Sequence, residues 1–483
     1  MIWLLLTAVM LGVAGVVAVR TLRMRPAAPC PGGVAYTPTA DPAAAEKLAQ
    51  AVRLQTVSHA QPDAQEAVAF EAFHALLTRQ FPLFHARAER TVVNRLSLLY
   101  RLPAAVPCPG LDPVLITAHM DVVPVEDGTQ ADWTYPPFGG DVADGFVWGR
   151  GTLDTKVHLI AALEALERLL ARGITPARDI YLAFGHDEEL NGEQGAMHIA
   201  ALLAQRGLRF ALVLDEGGCV VRGVLPGVQK PIAMIGVGEK GFANLRLQAR
   251  LDGGHASMPA AHTSLGVLAQ ALCRLEAHPC KPRLIPSTRA FLLALAPEMR
   301  GFPRVALANL WLFQGVFTRV FASSRTGSAL LRTTVAVTMA QGSPAPNVVP
   351  QHATARVNCR ILPGDDGDSL LRHVRRALRG LPVTVEPEVL DNPSALSPHD
   401  CDVYRTLASL ASACCDGALA VPYLVMAGTD ARKYESVSAH IYRFTPYILA
   451  PEDLDRIHGT NERISLENVN RCVDFFTALL QAL

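Results

Sequence analysis

The chain has 483 residues, 50% of them hydrophobic and 18% charged, which marks a folded globular protein with room for two or three cores and excludes a disordered chain. Lysine plus arginine and aspartate plus glutamate balance at 44 each, so no net field draws the chain to nucleic acid and no such partner is expected. The ten cysteines are scattered without a CxxC pair, which excludes a zinc ribbon or thioredoxin-type motif and argues against a dense disulfide framework.

The chain opens with MIWLLLTAVMLGVAGVVAV, a run without charged side chains, followed by Arg20, Arg23 and Arg25. This length suits one membrane-spanning helix over residues 1–22. No small-x-small cleavage site precedes the arginines, so an uncleaved anchor is expected. On a simple count, arginines after the helix favour a cytoplasmic body. Residues 23–42 are rich in Pro, Gly and Ala and read as a linker.

From 43 to 237 strand-like runs alternate with amphipathic helical ones. PVLITAHMD, DIYLAFGHDEE and FALVLDEGG each begin aliphatic and end in acidic or histidine side chains. Between the first two, DTKVHLIAALEALERLLARG carries Ile160, Leu163, Leu166 and Leu170 on one face and stops at a glycine. The expectation is an α/β catalytic domain with a mostly parallel sheet, whose ligands collect beyond the carboxyl ends of the strands. From 238 to 392 the strands GFANLRLQARL, TTVAVTMAQG and ATARVNCRIL alternate and look more exposed, with helical runs at 263–277 and 368–379. This predicts a smaller α+β lid domain inserted into the first. Residues 393–483 return to the catalytic domain and close on the helix LENVNRCVDFFTALLQAL.

Taken singly, the chemical residues have ordinary readings. His119 and Asp121 in TAHMD suit a loop histidine beside a carboxylate, Asp154 in GRGTLDTK suits a helix N-cap, Asp215 a loop acid and His458 a surface histidine. Glu188 and Glu189 in LAFGHDEEL are different. Acids crowded against so apolar a strand cost desolvation and mutual repulsion, which two divalent cations would offset. Imidazole and carboxylate suit zinc, and a carboxylate can bridge two ions about 3.5–4 Å apart.

The ordered series HxD, GRGxxDxK, EE, an Asp after the next strand, GGHAS and a late His resembles the di-zinc aminoacylase and carboxypeptidase family, which includes acetylornithine deacetylase. AGTDARKY and IYRFTPYILAPEDLDRIHGTNERIS look most similar to the branch of carboxypeptidase S and the N-fatty-acyl-amino-acid synthase/hydrolase. The resemblance implies a ferredoxin-like lid and two Zn²⁺ per subunit. His119 and Asp215 would hold one ion, Glu189 and His458 the other, and Asp154 would bridge them. Asp121 would orient His119, and Glu188 would move the proton from attacking water to the leaving nitrogen. His255 in LDGGHASMP would stabilise the oxyanion, while Asn347, Arg360, Gly428 and Thr429 would hold a substrate carboxylate. Asp430 and Arg432 would pair with each other or with substrate.

The implied reaction is reversible hydrolysis of an amide beside a free carboxylate, as in N-acyl or N-fatty-acyl amino acids. The alternatives are a carboxypeptidase or dipeptidase, and a catalytically inactive binding module. The resemblance also suggests a homodimer and an extracytoplasmic body, against the arginine count, so the side of the membrane stays open. One departure is an apolar insertion over roughly 286–330, which suits an acyl pocket, a membrane-facing surface, lid core or a dimer contact.

Overall fold

The computed structural model describes residues 1–25, 39–61, 64–106, 110–225 and 227–483, so most of the expected linker lies outside the described residues. Three aliphatic runs form the middle of a ten-stranded sheet: Val114–His119, Ile180–Gly185 and Leu212–Asp215, buried at every position. They are mutually parallel, with Val114–His119 between the other two. Strands buried on both faces need helices on both faces. Ile116, Leu182 and Leu214 point into one core with Ile160, Leu163 and Leu166 of helix Lys156–Ala171. Leu115, Tyr181 and Val213 point the other way, against Ile199 and Leu203 of helix Ala196–Gln205.

The sheet is mixed where a mostly parallel one was expected. Ser97–Leu102 runs antiparallel to both Glu89–Val93 and Ile180–Gly185, and Val220–Val221 runs antiparallel to Ile232–Glu239. The first reversal is a hairpin that turns at Asn94 and Arg95, with φ of 43° and 75°. An aliphatic run carries no mark of its direction, and a short turn between two such runs imposes an antiparallel pair.

A second, four-stranded sheet orders Thr334–Gln341, His352–Ile361, Gly241–Arg250 and Val383–Asp391, all antiparallel. Its alternating strands bury one face, including Leu245, Leu247 and Val357, against Leu268 and Leu370 of helices Ser264–Ala277 and Gly367–Ala377. The insertion forms helices Pro286–Leu295, Gly301–Ala308, Leu310–Phe321 and Arg325–Leu331. It joins the core of the large sheet: Phe291, Leu292 and Leu307 belong to that cluster, and Phe291 meets Tyr423 of strand Leu419–Val425 at 5.9 Å between ring centroids. Among the described residues, one helix, Ile2–Arg23, is long and apolar enough to cross a membrane, and none of its residues is buried.

Phe184 sits fully buried one residue before the strand ends at Gly185, edge-on to Tyr100 at 6.0 Å. Phe184→Ala is expected to lower unfolding stability by about 3–5 kcal/mol in urea titration. A loss under about 1 kcal/mol would contradict a close-packed core at this point.

Candidate active site

The carboxyl ends of the three parallel strands deliver side chains to one place. His119 ends its strand, Glu188 and Glu189 form the single turn Glu188–Leu190 after the next, and Glu216 follows Leu212–Asp215. Asp154 lies in the loop before helix Lys156–Ala171, and His458 follows the short helix Pro451–Leu454 with φ of 61°. Asp154 Oδ1 is 3.1 Å from His119 Nε2, and Asp154 Oδ2 is 2.8 Å from His458 Nε2. Glu189 Oε1 lies 3.3 Å from His458 Nε2, and Glu188 Oε2 lies 4.0 Å from His119 Nε2. Potential ligand atoms gather within 4.8 Å in three overlapping sets: His119, Asp154 and Glu216; His119, Glu188 and Glu189; and Asp154, Glu189 and His458.

Asp215 belongs to none of these sets; the acid there is Glu216. Asp215 is the last strand residue, buried, with Oδ1 accepting the Glu216 amide at 2.9 Å and burial pushing its pKa up to about 7. Glu216 lines the cleft. Which of two adjacent acids faces a site depends on where the strand stops, a one-residue question of parity that sequence leaves open. The available signal was the adjacency itself, Asp followed by Glu.

The acids are held by partners that do not themselves enter the sets. Asp121 accepts the amides of Glu188 and Glu189 on its two carboxylate oxygens, each at 3.1 Å. Its backbone carbonyl lies 2.9 Å from His119 Nδ1, so one residue orients the histidine and pins the glutamate turn. His186 and Asp187 are structural: His186 Nδ1 meets Ser97 Oγ at 2.6 Å, and Asp187 accepts the amides of Gln194 and Gly195 at 2.7 Å.

The far tie is Glu462. Its fully buried carboxylate pairs with Arg150 Nη1 at 2.7 Å and accepts the amides of Gly151 and Leu153 at 3.0 and 2.8 Å. Arg150 Nη2 in turn donates to the His458 carbonyl at 3.1 Å. The loop bearing Asp154 and the loop bearing His458 are thereby fastened together. No motif announces this pair, because Arg150 and Glu462 are far apart in sequence.

Burial, then the charges of Asp430, Glu216 and Glu189, pushes Glu188 well above the usual carboxylate range, with His119 opposing. Burial does the same to Glu216, reinforced by Asp154 and Asp215. His458 is raised to about 10 by its hydrogen bonds to Asp154 and Glu189. Burial disfavours charge on Asp154, yet hydrogen bonds from His119 and His458 hold its pKa below the usual range. Glu189 Oε1 is buried, with His458 Nε2 3.3 Å away. Such a set needs positive charge, and its nitrogen and oxygen donors fit a divalent metal of the zinc type.

A cleft of about 730 Å³ opens on this cluster, with Phe242, Val389, Val425 and Ile457 on its apolar walls and Arg360, Gly428, Thr429 and Asp430 on its polar side. The Arg360 guanidinium stacks 4.8 Å from the centre of the Phe242 ring. No hydrogen bond or ion pair engages its guanidinium among the described residues. Thr429 Oγ1 donates to buried Glu239 at 2.9 Å, and Arg432 Nε approaches Glu239 at 3.5 Å rather than pairing with Asp430. His255 and Asn347 lie elsewhere. His255 is in the exposed two-stranded pairing of Gly254–His255 with Val348–Val349, its Nδ1 2.7 Å from Ser257 Oγ, and Asn347 accepts the Ala256 amide at 3.0 Å. Neither lines the cleft.

If Glu216 and not Asp215 faces the metal, Glu216→Gln should weaken zinc binding by more than about 100-fold in a chelator-competition titration, and Asp215→Asn, which removes only a supporting contact, by about 10–100-fold or less; the opposite ranking would restore Asp215. Glu462→Gln should weaken zinc binding by about 10–100-fold with an unchanged far-ultraviolet circular dichroism spectrum, and full affinity would refute its tethering role.

The model of Peptidase family M20/M25/M40 matches residues 115–482. The chain is 35% identical over 455 residues to "Probable carboxypeptidase S-like 2" of Dictyostelium discoideum, covering 92% of this chain and 86% of that one. It is 38% identical over 437 residues to an N-fatty-acyl-amino acid synthase/hydrolase of Danio rerio, covering 89% and 84%. Among solved structures, an M20 family metallo-carboxypeptidase from Sulfolobus solfataricus shares the fold at a TM-score of 0.67 and 15% identity, covering 90% of this chain and 98% of that one. The extent of these matches, over the same strands and loops that converge on Asp154, makes the chain a member of peptidase family M20/M25/M40.

Proposed function

We propose that this M20 enzyme is a membrane-anchored, two-zinc amidohydrolase that cleaves an amide beside a free carboxylate, with N-acyl amino acids as its substrate class. The observation that carries the reading is that one cleft holds both the acid cluster around Glu188 and an Arg360 guanidinium without an ion-pair partner among the described residues. One zinc would be held by His119, Asp154 and Glu216, the other by Asp154, Glu189 and His458. When bound, the ions supply Lewis-acid polarisation of the scissile carbonyl and acidify water.

The residues divide the remaining work. Glu188, ionised when bound cations offset its burial, takes a proton from the attacking water and returns it to the leaving nitrogen; the same burial raises its affinity for the proton it carries. Asp121 keeps Glu188 and Glu189 pointed apart by holding their amides. Arg360 grips the substrate carboxylate, for which a planar fork of donors is well matched, with the Gly428 and Thr429 loop beside it. Phe242, Val389, Val425 and Ile457 offer an apolar wall for the acyl group. His255 and Asn347 complete the site through the lid, from this subunit on closure or from a second subunit in a homodimer. Ile2–Arg23 acts as the anchor, with an extracytoplasmic body.

The name of the Danio rerio relative favours acyl amino acids, and that of the Dictyostelium relative favours a carboxypeptidase. Rates on N-oleoyl-phenylalanine and benzyloxycarbonyl-Gly-Leu decide between them. The acyl reading expects the higher kcat/KM on the lipid substrate, and no turnover of it would leave the peptide reading standing.

Glu188→Gln should lower kcat by about 10²–10⁴-fold with zinc content unchanged; near-normal turnover would remove Glu188 as the proton carrier. Arg360→Ala should raise KM for the free-acid substrate by about 10–100-fold and leave the rate on the corresponding C-terminal amide unchanged. An equal effect on both substrates would show that Arg360 does not read the carboxylate.

A further inference from the structure

Helix Leu310–Phe321 of the insertion, LWLFQGVFTRVF, is apolar on nearly every side. A helix of that kind is buried in protein or in lipid. Only one side is covered here. Leu310, Phe317 and Phe321 turn towards the core, while Trp311, Leu312, Val316 and Val320 are 52%, 45%, 55% and 65% exposed. Phe302 on the preceding helix adds a further exposed ring, 5.9 Å from Phe313.

What lies against this patch identifies its cover. Along the N-terminal helix Ile2–Arg23, Val13, Val17 and Thr21 are half-buried while their neighbours are exposed, a stripe at the spacing of one helix face. Fully buried Asn309, at the junction of the two insertion helices, donates from Nδ2 to the Val17 carbonyl at 3.3 Å and to Thr21 Oγ1 at 3.1 Å. Arg304 donates to the Met24 carbonyl at 3.0 Å. The insertion is therefore attached to the body-side end of the apolar helix. Val17 lies about 9 Å from that end at 1.5 Å per residue, within the roughly 5–10 Å depth to which an interfacial helix buries its apolar face. A cavity of about 460 Å³ at the junction is walled by Arg20, Arg23, Arg25 and Arg289 with Trp311 beside them, placing cations and an aromatic ring where the headgroups of anionic lipids would lie.

The geometry points to the insertion as a membrane-docking element: helix Leu310–Phe321 and Phe302 enter the same leaflet as the body-side end of Ile2–Arg23, with the arginine cluster at the lipid phosphates. This rests on the reading of Ile2–Arg23 as an anchor that stays in the bilayer. It goes further, because a tether alone leaves the body free, whereas a second contact fixes its orientation. The same insertion packs on strand Leu419–Val425, which runs into the cleft-lining loop at Gly428 and Thr429, so the docked surface and the substrate site share one rigid element. Substrate with an acyl chain and a carboxylate would then be taken from the leaflet.

The four tryptophans allow a test on the full chain. Trp133 and Trp148 are buried in the body, whereas Trp3 and Trp311 are exposed on the two apolar helices. The protein is reconstituted in vesicles of phosphatidylcholine and phosphatidylglycerol in which the phosphatidylcholine carries brominated acyl chains. The W3F variant should retain roughly half of the wild-type bromine quenching, and W3F/W311F should fall to the level seen without bromine. Val316→Glu in the W3F background should reduce Trp311 quenching at least about twofold, since a charge opposes apolar insertion. Complete loss of quenching in W3F alone would overturn the proposal while leaving the anchor in place. No quenching of the wild type would overturn the anchor reading and the proposal together. Trp311 shielded from bromine but cross-linked to a second chain would replace the bilayer with a dimer contact.

Discussion

The carboxylate of Asp154 gives one oxygen to His119 and the other to His458, side chains far apart in the sequence. Much of the surrounding structure serves to hold these three side chains together. Burying acids together is unfavourable unless positive charge is supplied. The fold supplies rigid partners at every approach: Asp121 under the glutamate turn, and the Arg150–Glu462 pair between the two loops. Asp121 and Glu462 are buried and contact backbone as well as side chains, so each loop is held by several bonds at once.

The parallel centre of the sheet explains why the cluster forms at all. Three neighbouring strands with a common direction bring their carboxyl ends to one edge, and each end contributes an ionisable group. Strand Ile441–Arg443 pairs parallel beside Leu212–Asp215, and the segment after it reaches His458. The antiparallel additions extend the sheet without disturbing this arrangement. The second sheet carries Arg360 on its strand His352–Ile361, and in this way a residue from another layer faces the acids across the cleft.

Much of this was legible in the sequence because chemistry and secondary structure share a period. HxD and the EE pair stand at the ends of aliphatic runs, and GRGxxDxK at the start of an amphipathic helix, so their placement follows once those runs are strands and that helix is in place. The choice between Asp215 and Glu216 was not legible, since it turns on one residue of strand length. The mixed direction of the sheet was hidden because buried strands look alike whichever way they run. Glu462 and Arg150 escaped notice for another reason: a tether joining residues distant in sequence has no spacing to read. His255 and Asn347 were matched as site residues, but they occupy an exposed hairpin outside the cleft of this chain. The insertion read correctly as apolar, yet only its contact with Ile2–Arg23 gives that character a direction.

In the proposed function Asp154 bridges two zinc ions. Anomalous diffraction at the zinc edge from crystals of the zinc-loaded enzyme tests this most directly. Two peaks about 3.5–4 Å apart are expected with Asp154 between them, one beside His119 and one beside His458. A single peak, or two peaks that do not share Asp154, would contradict it.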